Sequence, residues 1–469
     1  MSQIPVDCLE EIFEYLDDGG FTLHSCILVN RHWCAVSVRM FWRNSRKYNI
    51  SHFNTLVSCL PTKSKEILSK NGINILTPTT KFPIFNYASF CKVLSINHVQ
   101  RKTKELLIFQ QIIPPQFLSN SANIVVHEIC EMFMSQISVL KRLDISPYEC
   151  DIPNFTLYPE AKDCLENLSE LYCSSGISAK IFYQLSHICH NISLINIKND
   201  EYCGISDGLT NLVSAQKNLK HFILSQYDSR HQDYSPLVRK LPNTLIKLNL
   251  IDSNYMSLSF IAKFSNLQEL KLLFYGESDF IDFDKLSYVS FPRLQILKFQ
   301  YLRPNNEALA RFLEINGKNL KELYAGVSKY SSYNNISLNS ELEMLKIILK
   351  SCKYLKSIEI YCGGKLLGET EALKEIVSHE NISEIILNYR YYAGSKKLLP
   401  KELESFIVSW ANYIPRQRLL SFAIVMGDFH KESLYINEEN MNIFKKYIEL
   451  GVIEDFRISY DDDVRELYF

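Results

Sequence analysis

No stretch of this 469-residue chain holds the roughly 18 consecutive apolar residues a membrane helix needs, so no membrane partner is expected. Charge of either sign is not in surplus either: 51 Lys and Arg face 52 Asp and Glu, a formal net charge of −1. A general nucleic-acid binder needs a basic excess to neutralise phosphates, so no nucleic-acid partner is expected. The 13 cysteines are scattered and never spaced Cys-x-x-Cys, which excludes the usual zinc framework and an obvious disulfide scaffold. They read as small buried hydrophobes in a reducing compartment. The first turns of sequence carry Asp7, Glu10, Glu11 and Glu14, where a secretory leader is basic and then apolar. The expected location is therefore cytoplasmic and/or nuclear.

Catalytic signatures are missing as well. No Ser, Cys or Lys nucleophile sits in a recognisable setting. Tyr361-Cys362-Gly363-Gly364-Lys365 lacks the Gly-x-x-x-x-Gly-Lys-Ser/Thr spacing that wraps amides round a phosphate, and reads as a turn. On a helix His187 and His190 share a face while Cys189 points elsewhere, which suits a helix end better than a zinc site. Asp461-Asp462-Asp463 reads as a solvated run. The chain is expected to be no enzyme, with no catalytic residue, no metal and no cofactor.

What is present begins at the N-terminus. Pro5 suits a helix start because it has no backbone N–H to lose, and Asp7 places negative charge in the first turn, where the helix dipole favours it. Leu9, Ile12, Phe13 and Leu16 recur at steps of three and four, one stripe of a short helix, until Asp17-Asp18-Gly19-Gly20 ends it. A second helix is expected from about Thr22, with Leu23, Cys26 and Ile27 in register and Val29, Trp33 and Val36 beside them. A unit this small, near the lower limit of about 40 residues for unaided folding, cannot hide all that apolar surface and asks for a partner. The pattern Ile4-Pro5-x-Asp7-x-Leu9-x-x-Ile12-Phe13-x-x-Leu16, followed by Cys26-x-x-Val29-Asn30-Arg31-x-Trp33 and Phe41-Trp42, resembles the F-box. The resemblance implies that residues 1–45 dock on the small adaptor subunit of cullin-based ubiquitin ligases through Pro5, Leu9, Ile12, Phe13, Leu16, Val29 and Trp33.

Beyond residue 85 a phrase, apolar-x-x-apolar-x-apolar, keeps returning. It reads Leu140-Leu143-Ile145, Leu168-Leu171-Cys173, Ile192-Ile195-Ile197, Leu219-Phe222-Leu224, Leu245-Leu248-Leu250, Leu267-Leu270-Leu272, Leu294-Leu297-Phe299, Leu320-Leu323-Ala325, Leu355-Ile358-Ile360 and Ile382-Ile385-Leu387. Weaker copies stand at Cys91, Leu419 and Ile453. The ten central copies start 22 to 35 residues apart, with helix-like stretches such as Ala179–Ile188 between them and an Asn before many copies, among them Asn218, Asn319 and Asn381. A unit of strand, loop and helix leaves its faces bare unless neighbours stack on it. This array is similar to the longer, helix-bearing leucine-rich repeats. The fold class implied is α/β, a leucine-rich-repeat solenoid of about 10–13 degenerate repeats over residues 86–469, with a curved parallel sheet inside, helices outside and the small all-α unit in front. Residues 46–85, with Phe53, Leu56, Leu60 and Ile67 interrupted by Pro61, Pro78 and Pro83, read as a helical joint. Lys102–Asn120 reads as a loop or an irregular first unit.

Within each phrase, period two sends the fourth and sixth positions inward and leaves the third, fifth and seventh on the open face. That face gathers Tyr172, Asn249, Lys271, Lys298, Tyr324 and Tyr361, candidates for holding a protein ligand because aromatic anchors among polar groups suit such contacts. The Lys271 and Lys298 pair suggests an acidic element in that ligand. Tyr389, Arg390, Tyr391 and Tyr392 form a second aromatic and cationic cluster beyond a strand, or else pack over loop ends. The two resemblances together imply the substrate-recognition subunit of an SCF-type ubiquitin ligase, bound through the adaptor to a cullin scaffold and holding a protein substrate on the repeats. The alternative is a scaffold that binds partners without joining a ligase.

Overall fold

The computed structural model describes the chain apart from residues 1–3, 17–19, 77–82, 112, 147–151, 200–202, 227–232, 252–255, 275–279, 301, 327–337, 363–366, 390–397, 413–418, 427–436 and 461–469; the side chains of 20–22, 338–340 and 460 are also outside the description. The Asp17-Asp18-Gly19 break, the Gly363-Gly364-Lys365 turn, the Arg390-Tyr391-Tyr392 cluster and the Asp461–Asp463 run therefore lie outside the described residues.

The N-terminal region is helical. Helices α1 (Val6–Leu16), α2 (Gly20–Ile27) and α3 (Arg31–Phe41) pack round Leu9, Phe13, Leu23, Cys26, Val36 and Met40. Pro5 stands just before α1, and its carbonyl accepts the Leu9 amide at 3.1 Å, the first helical bond. The second helix expected from about Thr22 is α2, and Val36 and Trp33 lie on a third, α3. Asn30 is extended, and its side-chain oxygen accepts the Trp33 amide at 2.9 Å, so it caps α3 and the chain turns there.

Helices α4 (Ile50–Cys59) and α5 (Thr62–Lys70) follow, with Pro61 at the start of α5. The joint to the strands is a stack of rings: His52 lies 5.2 Å from Tyr48, 5.0 Å from Phe41 and 4.9 Å from Trp42. Backbone bonds finish the connection. The amides of Lys92 and Val93 both donate to the Arg43 carbonyl, at 2.8 and 3.0 Å, and the Ser95 amide donates to Ser45 Oγ at 2.8 Å. The helical region thereby covers the exposed edge that the first strand of a sheet would otherwise present.

Burial pushes the His52 imidazole down to about 4, because the charged form loses its water among the rings. An unfolded chain binds that proton near pH 6.5, so stability is fully present above pH 6.5 and is lost as pH falls toward 4. The expected cost is about 2–3 kcal/mol. Thermal unfolding of wild type between pH 7 and 4.5, compared with His52→Gln, checks it: the variant loses most of the slope.

Thirteen strands occur among the described residues, in chain order and parallel in every pair described. The chain divides into two compact units, residues 1–220 with 240–242, and residues 221–239 with 243–469. The first holds β1 (Val93–Ser95), β2 (Arg142–Ile145), β3 (Glu170–Ser174) and β4 (Leu194–Lys198). The second holds β5 (His221–Ser225), β6 (Lys247–Ile251), β7 (Glu269–Leu273), β8 (Ile296–Phe299), β9 (Glu322–Ala325), β10 (Ser357–Tyr361), β11 (Glu384–Asn388), β12 (Leu420–Met426) and β13 (Ile453–Tyr460). Every recurring phrase is a strand, and helices alternate with strands. The architecture is α/β and consistent with a leucine-rich-repeat solenoid behind an N-terminal helical region.

Positions four and six of the ten central copies are buried, Leu248 and Leu250 or Ile385 and Leu387 fully so, as period two requires, while Phe456 and Ile458 in the last strand are only partly buried. Lys102–Asn120 is not a loop. Helix α6 (Ile96–Phe109) runs through Lys102 to Phe109, and α7 (Leu118–Gln136) begins before Asn120. The polar run Arg101-Lys102-Thr103-Lys104-Glu105 hides the pattern, but Val99, Thr103, Leu106 and Leu107 are buried on one side, and the Ser95 hydroxyl caps the helix by accepting from the His98 amide at 3.3 Å. Pro114 and Pro115 separate the two helices.

Stacking has a side-chain component. Gln216 Nε2 donates to the Cys189 carbonyl of the preceding repeat at 2.8 Å, and Gln216 Oε1 accepts the Ile192 amide at 3.0 Å. Asn316 does the same in the second unit, donating to the Val289 carbonyl at 2.9 Å and accepting the Phe291 amide at 2.7 Å. Where an Asn precedes the phrase it can add a second tie: Asn319 and Asn381 reach the carbonyls of Pro292 and Lys353 at 2.9 and 2.7 Å, and Asn218 reaches Asn191 Oδ1 at 3.1 Å. At Gln216, Asn316, Asn319 and Asn381 one repeat thus satisfies backbone groups that its neighbour leaves bare.

Candidate interaction surfaces

Helix α1 carries two apolar stripes with the same three- and four-residue step. Val6, Leu9, Phe13 and Leu16 turn toward the bundle; Pro5, Cys8, Ile12 and Tyr15 turn away from it. The seven positions expected to meet an adaptor are therefore divided. Leu9 and Phe13 are fully buried in the bundle's own core. Leu16 and Trp33 are partly buried against it, with the Trp33 ring edge-on to Phe13 at 5.4 Å. Pro5, Ile12 and Val29 are exposed, Ile12 at 46 % and Val29 at 57 %.

The uncovered apolar surface also includes Ile4, which opens the sequence pattern, and Tyr15 and Leu28, which the pattern did not single out. His32 Nε2 lies 3.2 Å from the Ile4 carbonyl, which holds the start of α3 beside the start of α1 and brings the Leu28-Val29 turn to the Ile4-Pro5 end. Arg43 pairs with Glu14, and Arg39 with Glu10 at 3.9 Å, so two acidic groups of α1 are tied to α3 and the segment after it.

The fifth positions of the strands pair in register. In the first unit the row is Ser95, Asp144, Tyr172 and Asn196; in the second it runs Ile223, Asn249, Lys271, Lys298, Tyr324, Glu359, Ile386, Ala423 and Arg457. Five of the six proposed ligand-contacting residues stand in these rows. Tyr361 stands further along β10; it is buried, and its hydroxyl donates to the Gln300 carbonyl.

Tyr172 sits between two guanidinium groups, Arg46 at 5.3 Å and Arg142 at 5.1 Å from the ring centroid. Arg46 also donates to Asp144 and Arg142 to Glu170, each at 2.6 Å. Burial raises the Tyr172 hydroxyl above its ordinary value, against the pull of Arg142. Asn249 is half-buried, and its Oδ1 has no hydrogen-bond partner among the described residues.

Lys271 and Lys298 are register neighbours, as their spacing implied, but they offer no free cationic pair to an acidic ligand. Lys271 closes on Glu269 at 2.6 Å, and Lys247 reaches the other oxygen of the same carboxylate at 3.0 Å. Burial works against the Glu269 charge, yet the bonds from Lys271 and Lys247 outweigh it and hold the carboxyl below its usual value. Lys298 is buried, with its ammonium 4.2 Å from the Tyr324 ring centroid. Further along, Arg457 takes Glu384 and Asp455, both at 2.7 Å. The charges on this face are largely matched inside the chain, a pattern that spacing alone does not carry.

The other sequence candidates fall in structural places. Cys189 is buried, with its thiol 3.3 Å from the Leu165 carbonyl, while His187 and His190 are exposed. Tyr389 is buried, and its hydroxyl donates to Glu369 at 2.6 Å. Compared with known proteins, the chain matches no family model and no curated relative.

Proposed function

We propose that this chain is the substrate-recognition subunit of an SCF-type ubiquitin ligase. The N-terminal helices are an F-box that holds the adaptor, and the strand rows hold a protein substrate. The chain forms and breaks no bonds itself. Its contribution is positional: it carries a substrate lysine to a charged ubiquitin-conjugating enzyme and raises the local concentration of the two. The observation that carries the reading is the apolar surface of Ile4, Pro5, Ile12, Leu28 and Val29 left bare on a three-helix bundle whose sequence follows the F-box pattern. The matched charges and aromatic anchors of the rows favour a folded or extended polypeptide over a polyanion as the substrate.

Ile12→Asp combined with Val29→Asp tests it. Both residues are exposed, so the bundle keeps its helical circular dichroism, and capture of purified adaptor and cullin is expected to fall at least 100-fold, since two apolar anchors are each worth about 2 kcal/mol. Undiminished capture removes the docking assignment. Recovery of adaptor without cullin favours the scaffold reading instead.

A further inference from the structure

The geometry points to a divalent metal site of the zinc class on helix α7, made by His127, Glu128 and Glu131. A nitrogen of His127 and one carboxylate oxygen from each glutamate lie within 4.8 Å of one another. Residues 127 and 131 are one turn apart on the helix and so share a face, which is the spacing that lets two side chains chelate one ion.

Glu128 supplies the independent observation. Its side chain is 6 % exposed, and one oxygen lies 3.8 Å from His127 Nδ1. The other, Oε2, is buried and has no hydrogen-bond partner among the described residues. A carboxylate oxygen taken out of water without a donor is costly, and a bound cation is a means of satisfying it. Tyr158, at the end of the Phe155–Leu157 turn, packs its ring edge-on to His127 at 5.2 Å and reaches the His127 carbonyl at 3.4 Å, so the imidazole is held between the helix and this turn.

One imidazole nitrogen with two carboxylates suits a borderline ion such as Zn2+, bound at roughly 2.0–2.2 Å, rather than Mg2+, which takes oxygen ligands and keeps its water. Donors round such an ion stand roughly 3.3 Å apart, so the side chains close in on binding. His127 is half exposed and has room to adjust. Three protein ligands leave a fourth position for water or for a carboxylate or imidazole of an incoming partner.

The test uses the full chain and Zn2+ alone, followed by titration calorimetry, with Co2+ in parallel as a coloured probe. One ion per chain is expected, with Co2+ giving the weak visible bands of nitrogen and oxygen ligands and no thiolate charge-transfer band. His127→Ala and Glu131→Gln are each expected to weaken binding at least tenfold, and Glu128→Gln likewise. The metal-free melting temperatures of the His127 and Glu131 variants should match that of wild type, since neither side chain is in the core. Absence of binding, binding insensitive to these substitutions, or a thiolate band overturns the assignment.

Discussion

Phe13→Ala is expected to destabilise the N-terminal bundle by about 3–5 kcal/mol, enough to leave it largely unfolded in isolation from any partner. The ring is fully buried among Leu9, Leu23, Cys26, Val36 and Met40, and Trp33 stands edge-on against it. Its removal leaves a cavity that three short helices cannot close without losing contacts elsewhere. The neighbouring Ile12→Ala, on the exposed stripe of the same helix, should cost less than about 0.5 kcal/mol. Amide hydrogen exchange over Val6–Phe41 measures both. Equal protection in the two variants would mean that Phe13 is not the keystone of the bundle.

The second large effect is expected at Arg303. Its side chain is 3 % exposed and pairs at 2.8 Å with Glu341, itself 11 % exposed, on the helix Leu338–Ser351. The same guanidinium donates to the Gly326 carbonyl at 3.0 Å and to Asn306 Oδ1 at 2.9 Å. Gly326 runs so close to the strands that a Cβ there would lie 2.9 Å from the Phe299 carbonyl, so the backbone at this point has little room to adjust. Arg303→Leu strands Glu341 and two backbone or amide acceptors, and is expected to cost about 3–5 kcal/mol. Adding Glu341→Leu removes the orphaned charge and should recover more than half of the loss, a coupling that urea unfolding of the four proteins of a double-mutant cycle reads directly. No recovery would place the cost in the Gly326 and Asn306 contacts instead of the ion pair.

The strands were legible because burial imposes a strict rule on them. A phrase such as Leu245-x-x-Leu248-x-Leu250 repeats its apolar residues at period two, and a slip of one residue would turn Leu248 and Leu250 to solvent. The register row through Lys271, Lys298 and Tyr324 follows from the same alignment. Helix α6 was not legible from Lys102 onward, because its charged residues dominate the pattern while Leu106 and Leu107 are the buried apolar residues that mark the inward side there. The Gln216 and Asn316 ties left a trace, a polar residue three or four positions before the phrase, but its role depends on a carbonyl some 27 residues away.

By itself the sequence determined the α/β repeat, the N-terminal helices and the face each strand turns into the core, because local periodicity is enough to say which side of an element is apolar. Only the tertiary structure decided which of two apolar stripes on α1 is spent inside, with Leu9 and Phe13, and which stays exposed, with Ile12 and, beyond the helix, Val29. It also decided that Lys271 belongs to Glu269, while Lys298 lies over Tyr324. Both outcomes rest on distances between side chains brought together by packing, and a linear pattern holds no information on how far apart two faces end up.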